Sequence, residues 1–449
     1  MDVTRKSSRK PSMDRLSALP DDVLCHILSF LSTKNSVATS VLARRWRFLW
    51  TFVPNIDLGL TYGDDDVKLW TDINMWNGFS KIIIDRVILL HKAPRINTFR
   101  LCNNLHDCRE YELRAWIRTA ISRSVRNIEI CFNYNIYLPQ CLFTYKTLVD
   151  LTLICHVDIP VSFDVYLPAL KKLALGIVRY ESAESFSRLL SGCPVLEELI
   201  MGSFVVRSSR MCFYVCSPTL IRLTFYPSLK LVAHEFYRNC YRVKIDTPAL
   251  RYLHAYEPIS EDFSARALTS LMEADIVFVN EAPLAGDAIY SRNILEFLGR
   301  LCNVKCLKLS TTPMKVPDSA FSALTIRFPN LTKLELPVNW CLDWRLFLYL
   351  LGNADNLEVL IIHKVTCWME PHQVPTCLLS HLRTVTISLF ECAEHEFELI
   401  SYILGNAKVL KRMDIHFELN GIDLKGKFDG IKRISLFERG SKACELVFH

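Results

Sequence analysis

Glycine is scarce in this sequence, 14 residues in 449, and the scarcity excludes a good deal of chemistry. No glycine-rich loop precedes a candidate helix, so neither a Walker-type phosphate loop nor a dinucleotide fingerprint is present. Long hydrophobic runs are missing too. Ile82–Ile84 and Val87–Leu90 are interrupted by charge well short of the ~18 apolar residues that a membrane span requires. The first residues carry Arg5, Lys6, Arg9 and Lys10 with no apolar stretch behind them, which argues against a secretory signal. His395 and Glu396 lack the second histidine of the HExxH zinc motif. Cys155 and His156 are adjacent, so in a strand they point to opposite faces and make no nucleophile–base pair. Cys102, His106 and Cys108 lack a fourth ligand at zinc spacing. These gaps predict a non-catalytic chain with no cofactor and no metal site, and with neither nucleic acid nor membrane as its partner.

What is present is an ordinary folding composition: 50% hydrophobic and 22% charged residues, enough apolar surface to bury a real core. The length fits two or three domains or one extended repeat array. A net charge of +6 from 53 basic and 47 acidic residues is thinly spread, and only the amino-terminal tail, residues 1–12, is a basic cluster. It reads as a solvated tail or a nuclear address, with the nucleus, the cytoplasm or both as the expected location. The 17 cysteines are scattered through apolar segments and read as reduced thiols packed like small hydrophobes.

From Asp14 to Leu58 the chain reads DRLSALPDDVLCHILSFLSTKNSVATSVLARRWRFLWTFVPNIDL. Pro20 with Asp21 and Asp22 marks a helix start, since the acids favour the positive end of the helix dipole. Leu24, Ile27, Leu28 and Leu31 follow helical spacing, and Val23 and Phe30 widen the apolar surface beyond one stripe. After a polar break at Ser32–Ser36, a second helical pattern places Leu42, Trp46, Leu49 and Trp50 on one face and ends at Pro54. Three short helices of this size cannot hide so much apolar surface alone, so the excess predicts a partner.

The strings LPDDVLCHILSFL and SVLARRWRFLW closely resemble the F-box of plant F-box proteins that carry leucine-rich repeats and a C-terminal FBD region. The resemblance implies a three-helix hook inserted into the Skp-family adaptor of a cullin-based ubiquitin ligase, and through it contact with the cullin scaffold. Carried over by position, the adaptor-binding residues are Leu19, Pro20, Leu24, Ile27, Leu28 and Leu31, with Val41, Leu42, Trp46 and Trp50 forming a second row or supporting the first from beneath.

Beyond the hook one pattern recurs, apolar-x-x-apolar-x-apolar. It runs Ile96/Phe99/Leu101, Val125/Ile128/Ile130, Leu148/Leu151/Leu153, Leu170/Leu173/Leu175, Leu196/Leu199/Met201, Leu220/Leu223/Phe225 and Leu250/Leu253/Ala255. It continues as Leu271/Ala274/Ile276, Val304/Leu307/Leu309, Leu331/Leu334/Leu336, Leu357/Leu360/Ile362, Leu382/Val385/Ile387 and Leu410/Met413/Ile415. The spacing of roughly 21 to 33 residues brackets the leucine-rich-repeat period. Each unit is a short strand with its fourth and sixth positions facing inward, and stacked units bury what a single unit cannot. Ser182–Leu190, Arg292–Leu301, Trp344–Leu351 and Glu394–Leu404 carry the helical periodicity of an outer layer. The consensus asparagine after the strand is almost absent, Asn339 being the main match, so the turns need other hydrogen-bond partners.

The segments WMEPHQVPTCLLSHLRTVTISLF and ELISYILGNAKVLKRMDI resemble the FBD region of the same family, which implies a terminal cap on the repeats. The expected fold is thus α/β: a basic tail (1–12), an F-box (13–58), a connecting segment whose Trp70, Trp76 and Phe79 pack on the first repeats (59–90), an irregular leucine-rich-repeat solenoid with a parallel sheet inside and helices or turns outside (91–365), and an FBD cap (366–449). Outward strand positions are where a target protein would bind. Their fifth positions include Thr152, Ala174, Ile200, Thr224, His254, Asp275, Lys308 and Glu335, and the candidate target face is Tyr226, Tyr252, His254, Tyr256, Lys308 and Glu335. The expected role is substrate recognition within the ligase, with a scaffold that delivers no substrate as the alternative.

Overall fold

The computed structural model describes residues 16, 18–59, 80–102, 109–159, 162, 164–202, 204–206, 211–226, 241–256, 264–265, 268–278, 287–311, 326–336, 344–365, 367–418 and 423–449. The basic tail, Trp70, Trp76, Phe79, His106, Cys108 and Asn339 lie outside them. The chain forms two compact units, Met1–Val157 and Asp158–His449.

The first unit begins with helix α1 (Asp21–Leu28), preceded by Pro20, and helix α2 (Thr33–Ala38). The polar stretch expected to be a break is therefore itself helical. Ser32 caps it by accepting a hydrogen bond from the Asn35 amide at 3.3 Å. The second apolar pattern folds as a 3-10 segment, Arg44–Phe52. Three residues per turn place Trp46 and Leu49 on one face, and both are buried while Leu42 is exposed. Leu24, Leu28, Trp46, Leu49 and Val53 close a small core, with Leu19, Cys25 and Ala43 packed against it.

A parallel ladder follows without interruption: β1 (Asn55–Leu58), β2 (Thr98–Cys102), β3 (Asn127–Ile136) and β4 (Asp150–Ile159), in that order. Helices α3 (Lys81–Leu90) and α4 (Glu110–Ser122) lie between strands in sequence. β1 is a repeat strand unrecognised in the sequence, since Val53, Ile56 and Leu58 repeat the buried triad.

The second unit extends the same device through β5 (Lys172–Tyr180), β6 (Glu198–Met201), β9 (Arg222–Phe225), β11 (Tyr252–Tyr256), β13 (Glu273–Phe278), β14 (Cys306–Thr311), β15 (Lys333–Leu336), β16 (Val359–Ile362), β17 (Thr384–Phe390), β18 (Arg412–Phe417) and β19 (Glu445–Phe448), all parallel. The short strand β7 (Phe204–Val206) pairs with the far end of β5. Every triad predicted from the sequence is buried. The four predicted outer helices form as α5 (Ala183–Ser191), α6 (Asp287–Arg300), α7 (Trp344–Gly352) and α9 (Glu394–Asn406), joined by α8 (Thr376–Ser380) and α10 (Leu424–Ser435).

Between α5 and α6 a second parallel sheet takes the place of helices: β8 (Met211–Cys216), β10 (Tyr241–Asp246) and β12 (Ser264–Ala265). The cause is local. Phe213/Val215 and Val243/Ile245 alternate with polar residues at period two, and all four are buried. Phe213 meets Tyr180 and Phe186 edge-on, at centroid distances of 5.4 and 5.3 Å.

Backbone hydrogen bonds link successive repeats at the strand starts. The carbonyl of Lys171 accepts from the amides of Glu197 and Glu198, that of Glu197 from Ile221 and Arg222, that of Ile221 from Arg251 and Tyr252, and so on through Arg383 to Lys411 and Arg412, each at 2.8–3.1 Å. At the strand ends the Gly202 amide donates to Leu175 O and the Tyr226 amide to Met201 O, both at 2.7 Å.

Candidate functional site

The F-box residues predicted to face a partner divide by burial. Leu24, Leu28 and Trp46 are buried in the hook's own core, Leu19 and Trp50 are half-buried, and Pro20, Ile27, Leu31, Val41 and Leu42 are exposed. Helical spacing puts Val23, Ile27, Phe30 and Leu31 on one side of α1 and the turn that follows it. Phe30 is 77% exposed, Val41 87% and Leu42 66%, and Val37 and Phe48 are exposed as well. Periodicity alone did not single out Val37 and Phe48, because Val37 lies in the short helix α2, where a polar break was expected, and Phe48 in a 3-10 segment that spreads side chains differently from an α-helix. With the core already filled, this surface has no internal neighbour among the described residues to cover it.

In the second unit the strand register turns the predicted fifth positions into one row. Ala174, Ile200, Thr224, His254, Asp275, Lys308 and Glu335 stand opposite one another from β5 to β15. The row passes from buried apolar (Ala174, Ile200) to polar, and the polar part floors a recess of about 400 Å³. The third positions Arg222, Tyr252, Glu273, Cys306 and Lys333 form its other edge. Four of the predicted target-face residues, Tyr252, His254, Lys308 and Glu335, line this recess. Tyr226 packs on His254 with ring centroids 4.9 Å apart, and Tyr256 lies two residues further along β11, outside the lining.

The recess is electrostatically mixed. His254 Nδ1 lies 3.0 Å from Asp275 Oδ2, and Lys308 Nζ sits 3.6 Å from Asp275 and 3.8 Å from Glu335. Lys333 and His363 each reach Glu335 at 3.3 Å. Burial pushes the Glu335 carboxyl up, but the Lys333 hydrogen bond, the Lys308 charge and the His363 hydrogen bond together outweigh it and hold the group below the ordinary range. The Arg222 guanidinium stacks over Tyr252 at 3.9 Å from its centroid. Arg222, Lys333 and His363 were not among the predicted positions, and the ion contacts of the predicted fifth position Asp275 could not be read either, since their meeting depends on strand register. Alternating charges beside an aromatic platform suit recognition of a polar peptide surface.

Other candidates resolve structurally. Glu396 is buried at the start of α9, accepting the Ala393 amide at 2.8 Å and the Glu391 amide at 3.0 Å, while His395 Nε2 pairs with Val365 O at 3.0 Å. The pair is a helix-start arrangement. Cys155 is buried on the face opposite His156, and burial pushes its thiol up. Burial likewise raises Cys193 and Cys377 to about 12. Among the described residues one group of metal-capable side chains does assemble, Cys102 with Glu129 and Cys131 from the neighbouring strand. Among the described residues no helix is long and apolar enough to cross a membrane.

Three family models match the chain: the F-box domain over residues 16–57, the LRR repeats of FBD-associated F-box protein At5g56370 over 113–267, and FBD over 370–415. Similar full-length proteins are known from Arabidopsis thaliana. FBD-associated F-box protein At3g50710 is 32% identical over 97% of this chain and 100% of its own length. F-box/FBD/LRR-repeat protein At5g56420 is 31% identical over 97% of this chain and 99% of its own. F-box/LRR-repeat protein At3g59200 is 32% identical over 90% of this chain and 82% of its own.

Proposed function

The chain belongs to the F-box/FBD/LRR-repeat proteins, and from that premise we propose that it is the substrate-recognition subunit of a Skp–cullin–F-box ubiquitin ligase. The observation that carries the proposal is the hook's surplus apolar surface. Phe30, Val41 and Leu42 are exposed although the module's own core is complete, and an Skp-family adaptor is the partner that F-boxes take. Through that adaptor the chain joins a cullin scaffold. The target protein binds along the outward strand positions, centred on Tyr252, His254, Lys308 and Glu335. Rate enhancement comes from tethering a target lysine near a ubiquitin-charged enzyme, which raises effective concentration, so the chain needs no catalytic side chain of its own. The complex works in the nucleus, the cytoplasm or both.

Reconstitution tests this. The purified chain, adaptor, cullin module and charging enzymes should transfer ubiquitin to a protein that co-purifies with the chain. Transfer should be lost with Phe30→Ala/Leu42→Ala. A co-purifying partner that is held but never modified would instead leave the chain as a scaffold.

A further inference from the structure

Cys102 ends β2, and Cys131 stands directly opposite it on β3, with Glu129 two residues earlier on the same face. Cys102 Sγ lies 3.5 Å and Cys131 Sγ 3.7 Å from the same oxygen, Glu129 Oε1, and the three potential ligand atoms fall within 4.8 Å of one another. Tetrahedral zinc with bonds of about 2.3 Å to sulfur and about 2.0 Å to oxygen separates those ligands by roughly 3.5 Å. We propose that Cys102, Glu129 and Cys131 form a zinc site in the first unit, with water completing the tetrahedron from the side of the partly exposed Glu129.

Charge supports the assignment. Two thiolates and a carboxylate around Zn²⁺ leave one net negative charge, and Arg100 supplies the opposite one, its Nε 3.0 Å from Glu129 Oε1. That neutrality matters because both cysteines are buried. Space for the arginine is kept by Gly59, where a Cβ would lie 2.9 Å from Arg100 Nε. Thiolates favour zinc over magnesium or calcium, which take oxygen ligands. Loading replaces the two thiol protons, which pass to solvent. The metal would join β2 to β3 near the start of the ladder, at outward strand positions, in a structural role.

Thiols that merely hydrogen-bond to Glu129 satisfy the same distances, so the test must separate the two arrangements. The full chain, stripped with a chelator, is titrated with Zn²⁺ against a chromophoric competitor, and in parallel with Co²⁺. One equivalent should bind, and cobalt should show thiolate charge-transfer absorption with tetrahedral d–d bands. Cys102→Ser and Cys131→Ser should each weaken zinc at least ~100-fold, and Arg100→Gln about 10-fold, in the range of an outer-shell partner. Zinc should raise the melting temperature of the wild type but not of the serine variants. Failure to take up one equivalent, or uptake that persists unchanged in both variants, overturns the site. Should a serine variant not fold, Glu129→Gln replaces it, with the same weakening required.

Discussion

The sharpest prediction contrasts two leucines of the hook. Leu42 is 66% exposed and Leu24 is 0% exposed. Full burial of a leucine side chain is worth about 1.5–3 kcal/mol, so covering the exposed two-thirds of Leu42 on binding would contribute about 1–2 kcal/mol. Leu42→Ala should therefore weaken adaptor binding about 5- to 30-fold, with the fold unchanged within ~0.5 kcal/mol. Phe30→Ala, at 77% exposure, should act similarly. Leu24→Ala instead empties a filled core and should cost about 2–5 kcal/mol of stability. Calorimetric titration with purified adaptor, beside denaturant unfolding of each variant, measures both quantities. Leu42→Ala and Phe30→Ala proteins that fold normally and bind the adaptor at wild-type affinity would refute the docking surface.

Other outcomes follow from the same structure. Tyr252→Ala should lower affinity for a captured target by more than ~1 kcal/mol, and Tyr256→Ala, outside the recess, by less, as measured by titration. Glu335 has a folded-state pKa held below its unfolded value. Its stabilisation is thus present above the unfolded pKa of about 4.3 and is lost as pH falls through the folded value. Glu335→Gln should flatten that acid limb in melts taken between neutral and acidic pH. Gly192→Ala brings a Cβ to 2.5 Å from Val165 O and should cost about 1–3 kcal/mol. Gly405→Ala, in helix α9 with open space around it, should gain about 0.5–1 kcal/mol; chemical denaturation reads both.

Much of the ladder was legible because each repeat writes its inward face at a fixed offset. Leu357/Leu360/Ile362 and Leu410/Met413/Ile415 could be placed from spacing alone, and α7 and α9 announced themselves by helical period. Val53/Ile56/Leu58 escaped because the hook's helical pattern runs directly into it, and two periods overlapped at one place. The fifth-position row was readable strand by strand, yet the ion contacts of Asp275 and Lys333 were not, since they require the register between strands. The same reason hid Glu129 and Cys131 from Cys102: close in space across β2 and β3, they are separated in sequence by helix α4. Periodicity names the hook's apolar residues without saying which the module keeps for itself: Leu24 and Leu28 lie in its own core, and Trp46 lies there with them, where it supports the surface from beneath.

Val53 belongs at once to the hook's core and to the first buried triad. Around it, Asn55 Nδ2 donates to Ser29 O at 2.9 Å, the Asp57 amide to Thr33 Oγ1 at 2.8 Å, and the Lys92 amide to Thr51 O at 2.7 Å. No tether of free chain separates the hook from β1. Whatever seizes the hook therefore also aims β1, as a handle aims the shaft it is forged to.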